Sequence, residues 1–173
     1  MTLIAMAGLP GTGKSTLTRA LADALPAVVL DKDRVRAALF SSVVDYSAAQ
    51  NDFCLSVIYR TATFLLRRDP RRVVIIDGRT FATRAQREAL REAASKMGAT
   101  LHIIECVCAE PTALARLAHD ATTGTHPAAD RDAALYRRVK ARWEPIPAPN
   151  LVVDTEAPLE VCVARCLNYL KEV

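Results

Sequence analysis

The strongest chemical signal in the chain is the run Gly8-Leu9-Pro10-Gly11-Thr12-Gly13-Lys14-Ser15-Thr16, where Gly8 and Gly13 stand five apart and Lys and Ser follow at once. Glycines at that spacing let successive backbone N–H groups turn inward as an anion nest. Lys14 then adds a positive charge at the β/γ-phosphates, and the Ser15 hydroxyl can meet Mg²⁺. A helix starting near Ser15 would aim its positive dipole end at the same phosphates. The pattern identifies phosphate as the ligand and is silent on what is done with it.

Moving a phosphoryl group needs a metal that bridges phosphates, a base near the accepting hydroxyl, and fixed cations on the equatorial oxygens. Asp77 closes the apolar run Val73-Val74-Ile75-Ile76 and is the natural Mg²⁺-side acid of a Walker B motif. Asp33 and Arg36 lie three apart, so on a helix they share one face. Such a pair could take a hydroxyl proton and fix the transferred group. Equally, it could be a helix cap with an i,i+3 ion pair.

Positioning these residues requires alternating strands and helices. Apolar runs at residues 3–7, 27–30, 73–77, 100–107 and 151–154 read as strands. Between them, helical periodicity covers residues 15–25, 48–68 with Phe53, Val57, Ile58, Phe64 and Leu65 facing inward, and 83–97 capped by Gly98. A short helix opens at the turn 31–34 and runs to Phe40, followed by a loop at 41–47. Another helix is expected from Pro111 to about His119, and a loop at 121–129 follows it. Asp130 would cap a helix carrying Leu135, Val139 and Trp143, and residues 158–170 close the chain. This alternation implies a parallel sheet covered on both faces, with ligands at the strand carboxyl ends, where Gly8, Asp31, Asp77 and Asp154 fall.

At 173 residues the chain is one domain's worth, able to bury about 70% of its unfolded surface without disulfide or metal support. Its 23 basic and 19 acidic residues leave a net charge of +4, which allows an anionic substrate without demanding nucleic acid. Nine arginines lie between Arg60 and Arg91, yet few aromatics interleave them, so a stacking platform for single strands is unsupported. Five cysteines (Cys54, Cys106, Cys108, Cys162, Cys166) with no leader pattern lead us to expect a cytoplasmic location, with the thiols packing as small hydrophobes. No apolar run approaches the length of a membrane span.

Over nearly its full length the chain resembles the P-loop kinases of the polynucleotide-kinase and zeta-toxin-like group, the small AAA-type kinases. The resemblance rests on residues 8–16, on Leu30-Asp31-Lys32-Asp33-Arg34-Val35-Arg36, on Ile75-Ile76-Asp77 with Arg84 and Arg87, and on Leu114-Ala115-Arg116-Leu117. It implies an α/β fold, a three-layer α/β/α P-loop NTPase with a five-stranded parallel sheet in the nucleoside-monophosphate-kinase-like order 2-3-1-4-5. It further implies a single kinase domain over residues 1–173 with a lid near 119–131. Carried across, Asp33 becomes the general base, Arg36 a phosphate contact, and Arg116 an ATP or transition-state contact, with Arg131 a weaker candidate. The segment after Asp77 departs from the phage-type polynucleotide kinases, because Gly78-Arg79-Thr80-Phe81-Ala82-Thr83 lacks their Asp-Thr-Asn run. The sequence therefore leads us to expect an Mg-ATP-dependent kinase acting on the hydroxyl of a small molecule. A polynucleotide 5′-hydroxyl kinase and a non-kinase ATPase or switch are the alternatives.

Overall fold

The computed structural model describes residues 1–123 and 131–172. Its centre is strand β1 (Thr2–Ala7), which pairs in parallel with β3 (Val73–Asp77) on one side and β4 (Thr100–Val107) on the other. β2 (Val28–Asp31) extends the sheet beyond β3, and β5 (Leu151–Asp154) extends it beyond β4. The order is β2-β3-β1-β4-β5, all parallel, as the alternation and the resemblance predict.

Because successive strand side chains point to opposite faces, β1 feeds two separate cores. Leu3 and Ala5 join Leu55, Ile58 and Leu66 of α3 (Ala48–Arg68) and Leu90 of α4 (Arg84–Met97). Ile4 and Met6 face the other way, onto Leu17 and Leu21 of α1 (Lys14–Ala24) and Cys162 and Cys166 of α7 (Leu159–Glu172). Cys106 is part of this second core, and with Cys54 on α3 four of the five thiols pack as small apolar groups. A third, small cluster of Ala113, Leu117 and Tyr136 joins α5 (Glu110–Thr123) to α6 (Ala133–Ala141) and touches Leu9. Helix α2 (Lys32–Phe40) follows β2 directly.

Several local expectations are corrected. On α3 the inward stripe is Cys54, Leu55, Ile58, Ala62 and Leu66, whereas Phe53 and Phe64 are exposed. The buried positions follow one helical face that includes Ile58 and leaves out Phe53, which instead meets Phe40 edge-on at 5.8 Å. A 3-10 turn (Ser41–Val43) sits inside the expected loop at 41–47. Helix α5 continues past His119 to Thr123, and Asp132, not Asp130, caps α6 by accepting from Leu135 N at 2.7 Å. Helix α6 ends before Trp143. Most of the expected lid, together with Asp130 and His126, lies outside the described residues. Among the described residues no helix is long and apolar enough to cross a membrane.

Candidate active site

The strand carboxyl ends open into a cleft of about 1340 Å³ whose walls include Lys14, Ser15, Asp33, Arg36, Asp77 and Arg116. One wall is the loop between β1 and α1. Gly8 has φ +135°, and a Cβ there would stand 2.4 Å from the Cys106 carbonyl oxygen. At Gly11 a Cβ would stand 2.4 Å from the Ala113 carbonyl oxygen. Both obstacles are backbone, so glycine is required at each position. Gly13, also left-handed, is the N-cap residue of α1 and directs that helix's N–H groups into the cleft. Pro10, Gly11, Gly13, Lys14, Ser15 and Thr16 face the cleft, whereas Gly8, Leu9 and Thr12 lie behind them. Thr12 Oγ1 donates to the Leu9 carbonyl at 2.8 Å and holds the turn closed.

Lys14 Nζ donates to the Gly8 and Leu9 carbonyls at 2.9 and 2.7 Å, so its ammonium is curled over its own loop. Burial lowers its pKa from 10.5 to about 8, with the Asp77 charge opposing the shift. Arg116 approaches the same loop from α5. Its Nη1 donates to Thr155 Oγ1 at 3.0 Å and its Nη2 to the Thr155 carbonyl at 2.9 Å. Thr155 Oγ1 also lies 3.1 Å from the Thr12 carbonyl, which ties the arginine fork to the glycine loop. Asp154, expected at this edge from its place at a strand end, is exposed and accepts from Glu156 N at 2.9 Å. It caps its own turn, and the next residue does the work at the loop. Arg131 also reaches the cleft, paired with Asp120 at 3.3 Å.

The opposite wall is acidic at its base. Asp77 ends β3, is 1% exposed, and accepts from Gly78 N at 2.7 Å. It forms no ion pair among the described residues, which leaves a buried carboxylate suited to a hard cation. Asp31 faces it in register from β2 and caps α2, accepting from Asp33 N at 2.8 Å and Arg34 N at 3.3 Å. Burial first, then the Asp77 charge, raises the Asp31 pKa. Gly78 has φ +81°, and a Cβ there would lie 2.9 Å from both Asp31 Oδ1 and Lys32 N. The loop after β3 is thereby packed against the first turn of α2.

Asp33 and Arg36 are both buried and do pair, with Nη1 to Oδ1 at 2.8 Å. Their surroundings are not marked by any motif. Lys32 Nζ also contacts Asp33 Oδ1 at 3.0 Å, so two cations hold one oxygen. Asn51 Oδ1, on the first turn of α3, accepts from Lys32 Nζ at 2.9 Å and from Arg36 Nη2. The Asn51 amide is fixed by donating to the Tyr46 and Ser47 carbonyls at 3.1 and 2.7 Å. The Arg36 guanidinium lies 5.0 Å from the Tyr46 ring centroid. Burial lowers the Lys32 pKa, and the Asp33 charge opposes this. Lys32 and Asn51 escaped sequence reading because they belong to segments 19 residues apart with no shared motif.

The remaining arginines separate clearly. Arg79 lines the cleft and meets Asp52 at 3.3 Å. Arg84 is exposed and pairs with Glu88. Arg87 is 2% exposed, with its fork on the Phe81 and Pro145 carbonyls at 2.9 and 3.1 Å, so it braces the fold. Arg138 and Arg142, from α6 and just beyond it, also border the cleft, and no motif marked them.

The profile of the AAA domain family matches residues 3–146. The chain belongs to that family. A search of curated protein sequences gives no match. Among solved structures, this AAA domain is similar to a candidate kinase from Chloroflexus aurantiacus j-10-fl, at 25% identity over 96% of this chain and 97% of that one, with a TM-score of 0.77. It is also similar to a gluconokinase from Sinorhizobium meliloti 1021, at 20% identity over 99% and 92%, TM-score 0.70. The Mycobacterium tuberculosis APS kinase, solved with AMPPNP and APS, is 19% identical over 98% and 97%, TM-score 0.73. The fold of this AAA domain is that of the small P-loop kinases.

Proposed function

We propose that this AAA domain is an Mg-ATP-dependent kinase that transfers the γ-phosphoryl group to a hydroxyl of a small molecule. The observation that carries this reading is the convergence, in one cleft, of the Lys14 loop, the buried Asp77 carboxylate and the clamped Asp33–Arg36 pair. A loop crowded so closely that only glycines fit, followed by a helix N-terminus, suits a polyphosphate. Ser15 and Asp77 would hold Mg²⁺, which when bound neutralises charge on the phosphate oxygens.

The chain's own residues supply the rest. Residues 8–16 cradle the phosphates through backbone N–H groups, and Lys14 exchanges its loop carbonyls for phosphate oxygens. Arg116, preset by Thr155, offers a planar charged fork beside the same loop. Asp33 has its Oδ1 held by Lys32 and Arg36, which leaves Oδ2 to take the acceptor hydroxyl's proton as the oxygen attacks. Arg36 balances charge on the phosphoryl group in transit.

Structural kinship supports this choice, since the gluconokinase and the APS kinase both act on small molecules. The test is Asp33→Asn. The variant is expected to bind an ATP analogue like the parent protein while transferring no phosphoryl group to acceptors drawn from a metabolite library. Unchanged transfer would remove Asp33 from the mechanism. An ATP turnover that needs no acceptor and survives the substitution would favour a switch, and label arriving on 5′-hydroxyl oligonucleotides would favour the polynucleotide kinase.

A further inference from the structure

Resting on the kinase reading, we propose that the acceptor is a hydroxyl compound that itself carries a carboxylate, phosphate or sulfate, and that Arg79 binds this anion in exchange for Asp52. Lys32 and Arg36 are 11% and 3% exposed at their side chains, and each spans Asp33 and Asn51. Both hold the Asp33 carboxylate, and Arg36 is already assigned to the phosphoryl group in transit.

Arg79 differs. Its side chain is 16% exposed, so the guanidinium has been drawn largely out of water, yet its ion-pair partner is a carboxylate that is 68% exposed. With one solvated partner at 3.3 Å among the described residues, Arg79 is weakly tethered and has further donors to offer a ligand. A fork of that kind matches planar carboxylate or phosphate oxygens in a bidentate manner.

Its position fixes what the ligand must look like. Gly78 packs so closely on α2 that a Cβ would reach within 3.1 Å of Asp33 N, and Arg79 is the next residue. Asp52 follows Asn51, whose carbonyl oxygen holds both Lys32 and Arg36. The base and the Arg79 fork therefore belong to segments that pack against each other. One small molecule can present its hydroxyl to Asp33 and its anionic group to Arg79.

Exchange of partners also gives a signature that a merely structural ion pair would not. If Asp52 competes with the acceptor for Arg79, removing the arginine must weaken acceptor binding and removing the aspartate must strengthen it. The experiment is a turnover assay on a size-matched panel of hydroxy acids, sugar acids, sugar phosphates and sulfate esters, set against neutral sugars and polyols. It is run on the parent protein, Arg79→Gln and Asp52→Asn. Anionic members are expected to be the substrates, with the acceptor KM raised about tenfold or more in Arg79→Gln and lowered in Asp52→Asn. The affinity for AMPPNP is expected to be the same in all three. Comparable kcat/KM for neutral polyols, or an acceptor KM indifferent to both substitutions, would overturn the proposal. Thermal shifts on the AMPPNP-loaded protein separate the two levels of the argument. Anions that stabilise the parent and not Arg79→Gln, without any transfer, would count against the kinase reading and for the anion site; no such stabilisation and no transfer would sink both.

Discussion

The two walls of the cleft are built on different principles. The wall at residues 8–16 is made by one continuous stretch whose shape is set by backbone: positive φ at Gly8, Gly11 and Gly13, carbonyls that a Cβ would strike, and a helix N-terminus. The wall around Asp33 is made by side chains from three segments, residues 32–36, 51–52 and 78–79, that meet only in the folded chain. A backbone-built site is written in spacing, because only certain residue types can take those conformations. A site of converging side chains leaves no such trace, and its chemistry can differ between proteins that share the first wall.

Substitutions can test this division. The largest effect is expected at Gly8→Ala, where the new Cβ meets the Cys106 carbonyl; binding of an ATP analogue should be abolished. Measurable binding in a folded Gly8→Ala protein would break the view of this wall as backbone-dictated. Lys14→Ala removes a charge and leaves the nest, so affinity should fall by about 10–100-fold, read by titration calorimetry.

Gly78→Ala probes the seam between the walls. A left-handed conformation forced on alanine, plus the contact with Asp31 and Lys32, should lower stability by about 2–3 kcal/mol in denaturant unfolding. Asn51→Ala leaves Lys32 and Arg36 short of an acceptor and should lower stability by about 1–3 kcal/mol while sparing ATP-analogue affinity. A loss of nucleotide affinity there would show that the walls are coupled more tightly than described.

The smallest effect is a pH dependence. Folded Lys14 titrates at about 8 and unfolded lysine at 10.5, so the buried ammonium costs stability below pH 8 and that cost is relieved between 8 and 10.5. Nucleotide affinity should run the other way. It should be full below pH 8, where Lys14 is charged, and fall by up to about tenfold per pH unit above it, with Lys14→Ala showing no such fall.

The same contrast explains what the sequence could and could not disclose. Strands β1 and β3, with their apolar runs closed by a glycine loop and by Asp77, were legible because buried parallel strands are continuous in sequence. The inward face of α3 is legible only in part, because bulk does not fix helical phase: Ile58 goes in as expected, with Cys54 and Ala62, while Phe53 and Phe64 stay out. Asp154 and Thr155 are neighbours at a strand end, and the side to which each points depends on a turn that spacing does not encode. The Asn51–Lys32 contact is invisible for the same reason, since amide oxygen and ammonium belong to residues 19 positions apart.

The central claim is that the two walls cooperate in phosphoryl transfer, and the most direct measurement is ADP release by the parent protein with Mg-ATP, with and without anionic hydroxyl compounds. The account predicts release that depends on the acceptor and is matched mole for mole by phosphorylated product. Release at the same rate with no acceptor present, and no phosphorylated product when one is added, would contradict it.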